Sequence, residues 1–152
     1  MNENYSEKLW PAWWVWAMAG VIGGGIGLTV ARFSGPGAIL TTVALSGLIA
    51  TLLARSTPEV AVRDGELHAG RAHLPLSLTG AVEEFEAVAM RQALGPGLDA
   101  RAFLCIRGWI PTGVQVAVND PRDPTPYWLL SSRRPADLAQ AIRQAVARPG
   151  RR

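Results

Sequence analysis

Lysine is nearly absent from this 152-residue chain: Lys8 is the only one, and the other basic side chains are arginines. They are scattered, the formal net charge is only +3, and no basic tract exists, which excludes nucleic-acid binding driven by charge alone. Cysteine occurs once, at Cys105, so a disulfide framework and a cysteine-built zinc site are both excluded. Histidine occurs twice, as His68 and His73, at a spacing that matches no zinc pattern and with too few ligands for a metal centre. Charge itself is scarce at one end. Residues 1–57 carry only Glu3, Glu7, Lys8, Arg32 and Arg55. The overall figures, 49% hydrophobic and a mean hydropathy of +0.14, therefore average two unlike halves.

What fills the charge-poor end is apolar. Residues 12–31 and 37–54 are two uncharged runs joined by Arg32-Phe33-Ser34-Gly35-Pro36. As helices at 1.5 Å per residue they reach about 30 and 27 Å, the thickness of a bilayer core. Helices buried in a small soluble bundle keep a polar face, and neither run has one. A cleaved signal peptide fits poorly, because residues 1–8 are not basic, the run is long, and a second run follows at once. The expectation is a transmembrane hairpin over residues 12–54, preceded by a cytoplasmic segment, residues 1–11. Trp10, Trp13, Trp14 and Trp16 crowd its entrance, where indoles favour the boundary between headgroups and acyl chains. Lys8, Arg55, Arg63 and Arg71 flank the outer ends against Arg32 alone in the connection, which places both termini in the cytoplasm of a multi-pass cell-membrane protein. Ala19, Gly23, Gly27 and Ala31 recur every fourth residue on the first run, and Thr42, Ser46, Ala50 and Ala54 on the second. Such stripes let helix backbones approach closely in lipid. They are expected to face each other within one chain, with homodimerisation as the competing use. Gly23-Gly24-Gly25-Ile26-Gly27 lacks the spacing and the preceding strand of a nucleotide-binding loop.

Beyond Pro58 the pattern changes to short alternating segments bounded by turn residues, the signature of strands. Strands are expected at residues 59–63, 66–69, 73–76, 79–86, 102–107, 114–119 and 126–131, with Asp64-Gly65 as a strong hairpin turn. A short helix over residues 87–94 is stopped by Gly95-Pro96-Gly97. The chain closes with a helix over residues 135–147. Pro135 suits its first position, Asp137 its first turn, and Leu138, Ala141, Ile142, Ala145 and Val146 form its apolar stripe. The domain spans residues 58–148 and leaves residues 149–152 as a tail.

Seven strands and a closing amphipathic helix resemble a pleckstrin-homology-like domain, which implies an α+β class: a bent antiparallel β-barrel plugged by the helix. The wording of the chain is also similar to an actinobacterial membrane protein family, domain of unknown function 3093. That resemblance rests on residues 5–11 (YSEKLWP) with Trp13-Trp14, on Asp64-Gly65-Glu66-Leu67 and Gly70-Arg71-Ala72, on residues 91–99 (RQALGPGLD), and on Asp120-Pro121 through Tyr127-Trp128-Leu129 into Arg133-Arg134-Pro135. It implies a two-span membrane protein and brings no activity with it.

Residues 58–152 offer no coherent catalytic set. Cys105 lies at the centre of an apolar strand, where a thiol is ordinarily a small buried hydrophobe. Glu83, Glu84 and Glu86 read as a solvated strand end. The most site-like group is Tyr127 and Trp128 with Arg133 and Arg134, which precede the anion-friendly N-terminus of the closing helix. With Trp109 it forms a candidate surface for a protein partner or a lipid headgroup; the competing reading has the aromatics in the core. The basic first hairpin of phosphoinositide-binding domains is replaced here by Arg63-Asp64-Gly65-Glu66, so likeness of fold does not carry lipid specificity. The expectation is a non-enzymatic binding module held at the bilayer, without cofactor or metal. The alternative is an accessory subunit docking through the glycine-striped hairpin, and a membrane enzyme comes third.

Overall fold

The structure is a computed structural model that describes residues 3–32, 35–55 and 57–147. Among them are eight strands and four α-helices, a mixed α+β architecture. The chain divides into two compact units, residues 10–57 and the remainder.

The first unit is a pair of helices, α1 (Trp13–Ala31) and α2 (Gly35–Arg55), packed on each other. Helix α1 holds an 18-residue segment, Trp13–Val30, long and apolar enough to cross a membrane. The apolar stretch of α2 is shorter, Ile39–Leu53, because Gly35-Pro36-Gly37 lowers the hydropathy of its first turn. One membrane-length helix, rather than the expected two, is therefore defined by length and composition. The large side chains of the pair, among them Val21, Leu28, Ile39 and Leu40, face outward.

The second unit is built from two four-stranded sheets. The first has the order β1 (Glu3–Lys8), β2 (Glu59–Arg63), β3 (Glu66–Ala69) and β4 (Ala72–Pro75), antiparallel throughout. Asp64 and Gly65, with φ of 51° and 79°, make the left-handed turn that joins β2 to β3, as the Asp-Gly pair predicts. A 3₁₀ turn, Leu76–Leu78, then carries the chain to the second sheet. Its order is β5 (Thr79–Phe85), β7 (Gly113–Val118), β8 (Tyr127–Ser131) and β6 (Phe103–Cys105). Helix α3 (Ala87–Leu94) follows β5, and α4 (Pro135–Ala147) ends the unit.

Two expectations are corrected here. Residues 3–8, read as a segment outside the domain, are its first strand: Lys8 lies opposite Glu59, and the Leu9 amide donates to the Pro58 carbonyl at 3.2 Å. The helix pair thus occupies the place of the turn between two paired strands. The expected closed antiparallel barrel is two sheets instead, and β6 runs parallel to β8. Helix α4 lies against β1, β2, β5 and β7, filling the opening that a barrel would have closed by strand pairing.

Both sheets and α4 share one core. Val60, Val62, Leu67 and Leu74 come from the first sheet, and Val114, Val116, Trp128 and Leu130 from the second. Leu138, Ala139 and Ile142 of α4 complete it with no exposed surface. Burying each leucine or isoleucine is worth about 2 kcal/mol. Val146, expected in the same stripe, is 42% exposed, while Ala145 beside it packs against the core.

Candidate functional site

The aromatic and arginine group does not form one surface. Tyr127 and Trp128 are successive residues of β8, so their side chains leave opposite faces of the sheet. Trp128 points inward, buried, with its ring 4.4 Å from that of Phe103. On the other face the Tyr127 hydroxyl accepts the Asp99 amide at 2.9 Å and pins the loop after α3. Trp109 is half-buried against the core, with the Arg107 guanidinium 5.9 Å from its ring, and its Nε1 is buried without a hydrogen-bond partner among the described residues. Only Arg133 and Arg134 are exposed.

At the start of α4 the helix entry is engaged from within the chain, by Glu7. Glu7 is the second inward-facing residue of β1, between Tyr5 and Leu9, and is 7% exposed. Its Oε1 accepts the Arg133 backbone N–H at 3.0 Å, and its Oε2 accepts the Ser132 hydroxyl at 2.6 Å and the Tyr5 hydroxyl at 2.8 Å. Ser132 Oγ in turn accepts the Arg134 backbone N–H at 3.1 Å, serving an amide at the helix entry that the helix itself leaves open. A buried carboxylate is costly unless its lone pairs are satisfied, and here three donors and the positive end of the helix dipole satisfy it. Arg134 stacks 5.4 Å over the Tyr5 ring and approaches Asp137 at 3.8 Å. Burial, opposed by the Ser132 hydrogen bond and reinforced by Glu7, pushes the Tyr5 hydroxyl up to about 12.

The sequence held one signal for this cluster: Tyr5, Glu7 and Leu9 alternate with the polar Asn4, Ser6 and Lys8. A carboxylate at the central inward position conceals the pattern, and the partner strand lies some fifty residues downstream.

Cys105 is buried, and burial pushes its thiol up despite the nearby Arg107 charge, which makes it a poor nucleophile. Glu84 is paired with Arg143 of α4 at 2.8 Å. An open groove of about 540 Å³ lies beside α3, lined by Phe85, Ala89, Gln92, Ala93, Pro96, Gly97 and Gln115. Among the described residues no group of three or more His, Cys, Asp or Glu side chains is placed to hold a metal ion.

In the helix pair Ala19, Gly23 and Gly27 are the buried positions of α1, and Thr42, Ser46 and Ala50 are half-buried on α2. A Cβ added at Gly23 would overlap Ser46 Oγ, so this glycine permits the close approach. The side chains of Ala31 and Ala54 lie outside the described residues, as does the tail from residue 148. Trp10, Trp13 and Trp14 are exposed and Trp16 is half-buried.

The model of a family described as protein of unknown function (DUF3093) matches residues 4–142. No curated protein and no solved structure matches the chain.

Proposed function

We propose, for a chain that belongs to the protein family of unknown function DUF3093, a role as a two-span membrane protein that holds a binding module at the bilayer surface. The observation that carries this reading is the pairing of β1 with β2 across the apolar helices. Because Lys8 and Glu59 are strand neighbours, the chain enters and leaves the helix pair on one side. Insertion by a single crossing would tear β1 from its sheet, so α1 and α2 cross together or not at all. The 15 residues of Ile39–Leu53 extend about 22 Å, and the uncharged residues before them supply the remainder of a span. The outward-facing large side chains of both helices agree with a lipid surrounding. The flanking Lys8, Arg55, Arg63 and Arg71 favour a cytoplasmic module and cytoplasmic termini.

Two sheets sharing a core with a C-terminal helix favour a pleckstrin-homology-like module, opened rather than closed into a barrel. Its action is binding rather than catalysis, since the lone thiol is buried and the acidic groups nearest α4 are internally paired. With the anion site at α4 taken by Glu7, a protein segment is favoured over a lipid headgroup as partner. The accessory-subunit reading has its own support: Cβ atoms at Gly20, Gly24, Gly25 and Gly47 would meet nothing within 4 Å, leaving open helix surface for a neighbouring span.

Single reporters at Arg32→Cys and Asp64→Cys test the arrangement. In intact cells an impermeant maleimide should label only the first, and alkaline carbonate should leave the protein with the membranes. Extraction into the supernatant, or labelling of both reporters before lysis, overturns the reading.

A further inference from the structure

We propose that His68 and His73 form a two-imidazole site for a divalent transition-metal ion on the outer face of the first sheet. The two histidines of the chain are direct cross-strand partners, His68 on β3 and His73 on β4. The pair follows Ala69 and Ala72, which close the two-residue turn Gly70-Arg71, and so falls at the non-hydrogen-bonded register where side chains stand closest. Leu67 and Leu74 beside them point into the core, which fixes both imidazoles on the opposite, solvent side.

The spacing suits a shared ion. A zinc–nitrogen bond of about 2.1 Å puts the metal about 3.2 Å from each ring centre, so two bound imidazoles stand about 5.2 Å apart at a tetrahedral angle and about 6.4 Å when opposed. The observed centroid separation is 6.3 Å, with the rings inclined at 35°. Closing by about 1 Å is a small χ adjustment for side chains at a surface. Glu66, two residues before His68 on the same face, brings a carboxylate oxygen to 3.6 Å from His68 Nε2. It adds negative charge beside the ion, while water completes the coordination. Imidazole donors select zinc, nickel or copper over magnesium and calcium. Sequence spacing alone hides the site, because only the strand register makes residues five apart in the chain face each other. The ion would staple the edge strand β4 to β3.

Zinc titration of the full chain, followed by the imidazole ¹⁵N resonances, tests this. Both histidines should shift together at one zinc equivalent, with magnesium producing no shift. His73→Gln, at an exposed position that leaves the fold intact, should weaken zinc at least tenfold, and Glu66→Gln about threefold. Zinc affinity unchanged in His73→Gln, or a shift of His68 alone in the wild type, overturns the proposal. Neither result bears on membrane insertion.

Discussion

The two units solve the packing problem in opposite ways. In the β unit the large apolar side chains are inside and the charges outside, and α4 shows the division on one helix: Leu138 and Ile142 buried, Gln140 and Arg143 exposed. In the helix pair the smallest residues are inside, Ala19, Gly23 and Gly27, and the largest are outside. The first arrangement is stabilised by removing apolar area from water. The second gains little from that, and holds together by the close fit that glycine allows. The contrast teaches that burial alone does not identify what a helix is for; the size of its buried residues does.

The sharpest way to break the comparison is at the core of the β unit. Leu138→Ala should cost about 3 kcal/mol of that unit's stability, seen as a lowered denaturation midpoint in strand signals while the helical signal of α1 and α2 persists. Simultaneous loss of both would mean that the units do not stand apart. Next comes the one charge that breaks the inside-out rule. Glu7→Ala removes the shared acceptor of the Ser132 and Tyr5 hydroxyls and the Arg133 amide, at about 2–3 kcal/mol. Hydrogen exchange should rise at residues 132–138, and no change there would remove Glu7 from the helix entry.

Gly23→Leu sharpens the helix side. Forcing a side chain against Ser46 should separate the helices at a cost of about 2 kcal/mol, abolishing crosslinks between cysteines placed at Ala19 and Ala50 while the melting of the β unit stays unchanged. An intermolecular crosslink lost instead would assign the stripe to a dimer.

The smallest effect is confined to alkaline solution. The Tyr5 hydroxyl stands at about 12 in the folded chain against an ordinary 10, chiefly through burial. Its raised value favours folding fully below pH 10, and that contribution disappears as pH rises through 12. Difference absorbance between wild type and Tyr5→Phe should therefore display a single phenolate transition near 12, and one near 10 would put Tyr5 in solvent.

Much of this architecture was legible. Alternation and Asp64-Gly65 located β2 and β3, and the helix limits at Ala87–Leu94 and Pro135–Ala147 follow from glycine and proline punctuation. Local signals act over a few residues, and these elements are local. Strand β1 is not, since its partner lies beyond the helix pair, and Glu7 occupies a position where the binary pattern expects an apolar residue. The separation of the sheets escaped for a related reason: pairing between distant edges depends on where α4 settles. The candidate surface at Tyr127 and Trp128 failed on strand parity, which sends neighbours to opposite faces. At Arg133 and Arg134 the helix entry is met by Glu7, a carboxylate from the other end of the chain that local sequence signals do not bring there.

The pairing of Lys8 with Glu59 holds the ends of β1 and β2 about 5 Å apart, the spacing of adjacent strands. A gap of that size is what a two-residue turn bridges. The helices therefore interrupt a hairpin: β1 and β2 pair in register as β2 and β3 do, with residues 10–57 where the second pair has Asp64-Gly65. The β unit is one fold interrupted once in the sequence, and all of the interruption lies between two neighbouring strand ends.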